Sequence, residues 1–270
     1  MRRRKRASTR WKGSTVVFAL LFILSSGMLI RDLARSAGEQ AANEALVQRV
    51  VSPAPGSETA ETNSGHPVSP QTSAPERNYQ PLVQENSHLA AWLTIEGTEV
   101  DYPVLYTPDD PEYYLRKAFD GSYALSGSLF IGANCFPDGS NIIIYGHKMK
   151  DGTMFGSLDA YVDEEYAKAH SEIIYDLIQP DGSYERLTFE VMAVFYSRVY
   201  KVKEANVFRY YYGTDLSDAE DFQNYVEEAL SASLYDLGVT AEYGDRLLTL
   251  STCSYHTEDG RFVVVARQCS

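Results

Sequence analysis

RLLTLSTC (246–253) and RFVVVARQ (261–268), with the turn formers Glu258-Asp259-Gly260 just before the second run, are the stretch from which the fold is read. Each run is short and rich in β-branched residues, the signature of a strand packed on a core. Antiparallel pairing across so brief a connection sets Arg261 close to Cys253. The same pattern recurs upstream in GSLFIGA (127–133), NIIIYGH (141–147), EIIYDLI (172–178) and ERLTFEVMAVFYSRVY (185–200). Pro137-Asp138-Gly139 and Asp181-Gly182 punctuate the series. No internal repeat is visible. Many strands and few helices point to a mainly β fold, an antiparallel barrel or sandwich. One helix is clear: Ser217-Asp218-Ala219-Glu220 has the form of a capping box, and Phe222, Tyr225, Val226, Ala229 and Leu230 follow on one face. A second short helix is expected over Met154–Tyr161.

Composition bounds the rest. The chain has 270 residues, 44% of them hydrophobic, and a net charge of −13. It has room for one ordinary domain plus appendages. Three cysteines cannot build a disulfide scaffold, and no CxxC pair suggests zinc. An acidic chain makes a poor nucleic-acid binder, since phosphate contacts need a basic surface. The charge is sharply uneven. Of 24 basic and 37 acidic residues, nine and one lie in residues 1–38, which leaves the remainder at −21.

After the basic segment (1–12), Gly13 to Ile30 is free of charge. Eighteen helical residues span about 27 Å, close to the hydrocarbon thickness of a bilayer. The positive charges ahead of it place the N-terminus in the cytoplasm and the body outside. A cleaved signal peptide is the competing reading. The apolar run is long for one, and Arg35 spoils the small-x-small site before Ala37, so an uncleaved anchor over 13–30 is favoured. Both readings export the body. Residues 31–79 are expected to form a stalk, helical at first, then a Ser/Pro/Thr-rich disordered spacer. The folded domain is expected from about 80 to 270.

Three residues could carry chemistry. Cys253 ends a strand, where a rigid element can present a nucleophile to a groove. A guanidinium beside a thiol favours its nucleophilic form and can donate to a developing oxyanion, which suits Arg261. His147 ends another strand and would supply acid–base chemistry. Singly, each has an ordinary alternative: a buried thiol, a surface imidazole, an arginine paired with Glu258 or Asp259. His256 falls in the turn before Arg261 and reads as an exposed rim residue. Cys135 and Cys269 have no pairing that spacing settles. The tyrosine-rich run 196–212 reads as packing that could also wall a peptide groove.

Together these motifs resemble a known family. NIIIYGHKMKDGTMF (141–155), LTLSTC (248–253) and GRFVVV (260–265) are similar to the histidine, cysteine and arginine motifs of sortases, in family order. WLTIEGTEVDYPV (92–104) through GSLF (127–130) looks like the start of such a domain. The long His147–Cys253 interval with its helix resembles class B. The resemblance implies a closed sortase-like β-barrel with a few covering helices, one of them between the His and Cys motifs. It implies Cys253 as nucleophile, His147 as acid/base and Arg261 as thiolate and oxyanion partner. Tyr145, Ser251 and Leu115 would contact substrate. Some relatives have an acid after the cysteine; here Ser254 stands there, and no carboxylate role is assigned. The implied activity belongs to Gram-positive cell surfaces. A C-terminal sorting signal of NPxT or [S/N]PxTG type would be cleaved after its Thr. The surface protein bearing it would then pass, through a thioacyl enzyme, to an amine of the peptidoglycan precursor or of another protein. This chemistry calls for no metal or organic cofactor. The alternative is an extracellular cysteine peptidase, which would use a Cys–His pair without an essential arginine; a tethered binding module on a decayed fold is a third reading.

Overall fold

A computed structural model describes residues 9–51 and 76–269. The basic residues 1–8 and most of the expected spacer, 52–75, lie outside the described residues. The chain divides into two compact units at 42/43. Helix α1, Thr9–Val51, begins in the first. There its large apolar side chains, among them Phe18, Leu21, Phe22 and Leu24, are exposed. By length and composition α1 can cross a membrane, a measure that a signal sequence would also pass.

The second unit is a closed eight-stranded barrel. After the short helix α2 (Gln80–Glu85) come β1 (Leu89–Thr94), β2 (Asp101–Leu105), β3 (Leu129–Ile131) and β4 (Asn141–Tyr145). A short helix α3 (Glu164–Ala169) leads to β5 (Glu172–Ile178) and β6 (Tyr184–Arg198). Helix α4 (Ala219–Ala232) precedes β7 (Leu247–Cys253) and β8 (Gly260–Gln268). The strand order is β1-β2-β3-β4-β7-β8-β6-β5, with β5 returning to β1. All six expected strands form, and β1 and β2 join them. The barrel is mixed, which corrects the antiparallel expectation: β2–β3 and β4–β7 pair in parallel. A parallel neighbour needs a long crossover, and residues 146–246 supply one that carries α3, β5, β6 and α4.

Two local expectations shift. The short helix starts later and is a 3-10 turn, Ser157–Val162, because Met154 takes a positive φ of 53°. The cap of α4 is Asp218 rather than Ser217; its carboxylate accepts from the N–H groups of Glu220 and Asp221, two donors that the helix itself cannot satisfy.

Strand alternation builds two cores. Leu248 and Leu250 of β7 join Phe262, Val264 and Ala266 of β8 inside the barrel. Leu247, Val263 and Val265 face outward, beneath Phe222, Tyr225, Val226 and Ala229 of α4. A third cluster takes in Leu46, Val50, Tyr79 and Trp92, so the body recruits residues from before the boundary expected at 80. Asn78 N–H donates to the Val50 carbonyl (2.9 Å). Two outward carboxylates fasten this segment. Asp101 accepts from Arg77 (2.7 Å), Trp92 Nε1 (2.6 Å) and Thr94. The buried Asp176 accepts from Tyr79 (2.7 Å) and from both arms of Arg186 (2.7 and 2.8 Å), so its charge is fully paired.

Candidate active site

Cys253 is the last residue of β7 and faces Arg261 of β8 across the antiparallel ladder; Arg261 in turn faces Ser197 of β6. Two rungs earlier, on the same face, lies the row Tyr145, Ser251, Val263 and Phe195. Cys253 has the same strand parity as Thr249 and Ser251, so it lies on the outer wall of the barrel, at the rim of the surface that α4 covers.

The hydroxyls of the LTLSTC segment hold that wall. Ser251 is fully buried, and its Oγ bonds Tyr210 Oη at 2.7 Å. Thr249 Oγ1 donates to Asn141 Oδ1 (3.0 Å) and contacts Tyr225 Oη (3.2 Å). Thr252 points the other way and donates to the Gly146 carbonyl (2.8 Å), while Gly146 N–H donates to the Ser251 carbonyl (3.2 Å). These two bonds carry the β4–β7 pairing past its last rung, Tyr145–Ser251. His147 therefore comes two residues after that rung on one strand, as Cys253 does on the other.

The orientation of His147 is set from a third direction. Its Nε2 lies 2.8 Å from the Leu115 carbonyl, in the 3-10 turn Tyr113–Arg116. A carbonyl only accepts, so Nε2 carries the hydrogen and, in the neutral ring, Nδ1 keeps a free lone pair. Burial pushes the His147 pKa below the ordinary histidine value; the Leu115 bond opposes this and the nearby charge of Arg116 adds to it. The neutral imidazole is thus the form favoured at pH 7. The loop behind it is closed by Phe155 N–H on the His147 carbonyl (3.0 Å) and by Asp151, which accepts from Thr153.

Arg261 Nη1 donates to the carbonyls of Gly260 (3.0 Å) and Asp259 (3.3 Å). Among the described residues no carboxylate lies within ion-pair distance of it, Glu258 and the Asp259 side chain included. Cys253 is exposed and all three cysteines are free thiols. Tyr145 is half-buried, stacked on Phe130 at 5.8 Å, and burial raises its phenol pKa well above the ordinary range. Leu115 is partly exposed, but the contact it makes here is through its backbone. No sequence signal marks that role, since any residue supplies a carbonyl. Tyr210 was visible only as one member of a tyrosine-rich run. Among the described residues no His/Cys/Asp/Glu group is arranged to hold a metal ion.

The sortase domain family matches residues 93–269. Sortase B of Listeria monocytogenes is 36% identical over 190 residues, covering 68% of this chain and 70% of that protein. Sortase B of Clostridium perfringens superposes with a TM-score of 0.61 at 31% identity, over 70% of this chain and 98% of that one. Sortase B of B. anthracis, in complex with AAEK1, superposes with a TM-score of 0.60 at 31% identity, over 71% and 84%. This chain belongs to the sortase family of cysteine transpeptidases and, within it, to class B.

Proposed function

We propose that the chain cleaves a C-terminal sorting signal of NPxT or [S/N]PxTG type after its threonine and transfers the new acyl end to an amine. The observation that carries this reading is the cross-strand pair Cys253–Arg261, with His147 following the adjoining parallel rung. Cys253 Sγ attacks the threonine carbonyl carbon as its proton passes to Nδ1 of His147. Arg261 donates to the oxygen on which negative charge develops; a planar guanidinium on a rigid strand needs little reorganisation. Collapse breaks the amide, His147 protonates the departing amine, and a thioacyl bond remains on Cys253. An incoming amine then loses a proton to Nδ1 and attacks the thioacyl carbon, which restores the thiol and forms a new amide. Tyr145 and the side chain of Leu115 border the groove, and Ser251 supports its wall through Tyr210. The acceptor is an amine of the peptidoglycan precursor, and α1 anchors the enzyme, N-terminus inside, on the membrane where both substrates are found.

Mass spectrometry of the full chain in detergent, incubated with Pro-x-Thr peptides, tests this. An acyl adduct on Cys253 that an added amine converts into a new peptide bond is expected. Turnover retained by Cys253→Ala would overturn the assignment. Hydrolysis of the adduct with no transfer to any amine would replace transpeptidation with peptidase chemistry.

A further inference from the structure

Past the Cys253–Arg261 rung the chain reverses through residues 254–259, and the turn is tied on every side. Ser254 N–H donates to the Gly260 carbonyl (2.9 Å), Gly260 N–H to the Thr257 carbonyl (3.2 Å), and Val199 N–H to the Asp259 carbonyl (3.0 Å). Within the turn His256 Nδ1 lies 3.0 Å from Ser254 Oγ. The imidazole folds back over Gly260: a Cβ there would lie 2.9 Å from its Cε1 and 3.0 Å from Nδ1. Its other neighbour is Tyr196, with ring centroids 4.7 Å apart, and Tyr196 meets Phe262 edge-on at 5.1 Å. The ring of His256 thus touches the residue before Arg261 directly and the residue after it through one aromatic contact, while its nitrogen holds the residue after Cys253.

We propose that His256, through Ser254, is a positioning residue that holds Arg261 opposite the Cys253 thiol. This rests on the roles given above to Cys253 and Arg261. The chemistry of the pair suits the task. A serine hydroxyl both donates and accepts, so the bond forms whether Nδ1 carries a proton or a lone pair. The clamp adds no negative charge beside the thiol, as a carboxylate at 254 would. His256 touches no reacting atom; its effect is on how well the guanidinium meets the oxyanion, an interaction made in the transition state.

The test uses the full chain in detergent, with a fluorogenic Asn-Pro-Ala-Thr-Gly peptide and, separately, the rate of Cys253 alkylation by iodoacetamide. His256→Ala and Ser254→Ala should each lower kcat about tenfold with KM within about twofold, the pattern of a lost transition-state interaction. Both should also slow alkylation. The double variant should be no worse than either single one, because both break the same link. His256→Asn, which can still bond Ser254, should recover part of kcat; it and Ser254→Ala carry the test if His256→Ala melts early. Unchanged kcat and alkylation, additive losses, or a raised KM with kcat kept would overturn the proposal. Arg261→Ala in the same series separates the two readings. If Arg261→Ala is inactive while His256→Ala matches the parent, only the clamp fails. If Arg261→Ala is itself active, the assigned role of Arg261 fails first and the clamp falls with it.

Discussion

Gly127→Ala should damage both stability and catalysis, through one carbonyl. Gly127 has φ +59°, and a Cβ there would lie 2.4 Å from the Leu115 carbonyl oxygen and 2.8 Å from that of Tyr114. Both are backbone atoms, so neither can swing aside as a flexible side chain would. Relief requires a retreat of about 1 Å, which would stretch the 2.8 Å Leu115–His147 bond beyond hydrogen-bonding range. The left-handed conformation costs an alanine about 1–2 kcal/mol, and the overpacking adds about 1–3 kcal/mol. For a body of this size the sum lowers Tm by roughly 5–15 °C. A His147 ring freed from Leu115 loses its fixed tautomer and orientation, at a cost of about 10- to 100-fold in kcat. Gly238→Ala is the control, with a similar φ of +71° but nothing within 4 Å of its Cβ; it should bear the strain alone and keep its activity. Thermal melts and steady-state turnover of both variants read the difference. A Gly127→Ala enzyme that melts with Gly238→Ala and keeps kcat within about twofold would refute the idea that the Leu115 carbonyl holds His147.

Three further outcomes are expected. Asp176→Ala removes the buried acceptor that the Tyr79 hydroxyl and the Arg186 guanidinium share and should cost about 3–5 kcal/mol in urea unfolding; a loss below about 1 kcal/mol would mean the network is not tight. A chain starting at residue 80 lacks Leu46, Val50 and Tyr79, all buried, and the Arg77–Asp101 pair. It should unfold at lower urea than one starting at 43, each lost apolar side chain weighing about 1.5–3 kcal/mol; coincident transitions would count against that packing. For His147, burial lowers the folded pKa below the unfolded value of about 6.5. Between the two values the unfolded chain binds more protons, so stability is present above the unfolded pKa and is lost as pH falls toward the folded one. The stability advantage over His147→Asn should therefore shrink on acidification below about pH 6.5, and a pH-independent difference in urea titrations would contradict it.

How much was legible in advance follows from how each feature is encoded. Six strands stood out as short runs of β-branched and aromatic residues, and α4 by its period of 3.6, because both signals are written into neighbouring residues. β1 and β2 did not, since LAAWLT and DYPVL hold one β-branched residue each. The closeness of Cys253 and Arg261 followed from a short turn between adjacent strands. The alignment of His147 with Cys253, each two residues past the Tyr145–Ser251 rung, did not, because β4 and β7 become neighbours only after a crossover of a hundred residues, and spacing alone cannot choose that pairing. There the family wording pointed where geometry could not.

From its own residues, then, the chain determined a mainly β body, a basic and apolar head, and a thiol and guanidinium held on one hairpin. Only the tertiary structure decided that the barrel is mixed, that Ser251 is spent on Tyr210, and that His147 is aimed by the Leu115 carbonyl. The physical reason is common to all three. Side-chain pattern is local and readable, whereas a backbone carbonyl has no identity in the sequence and a long-range strand pairing exists only once the core has closed around it.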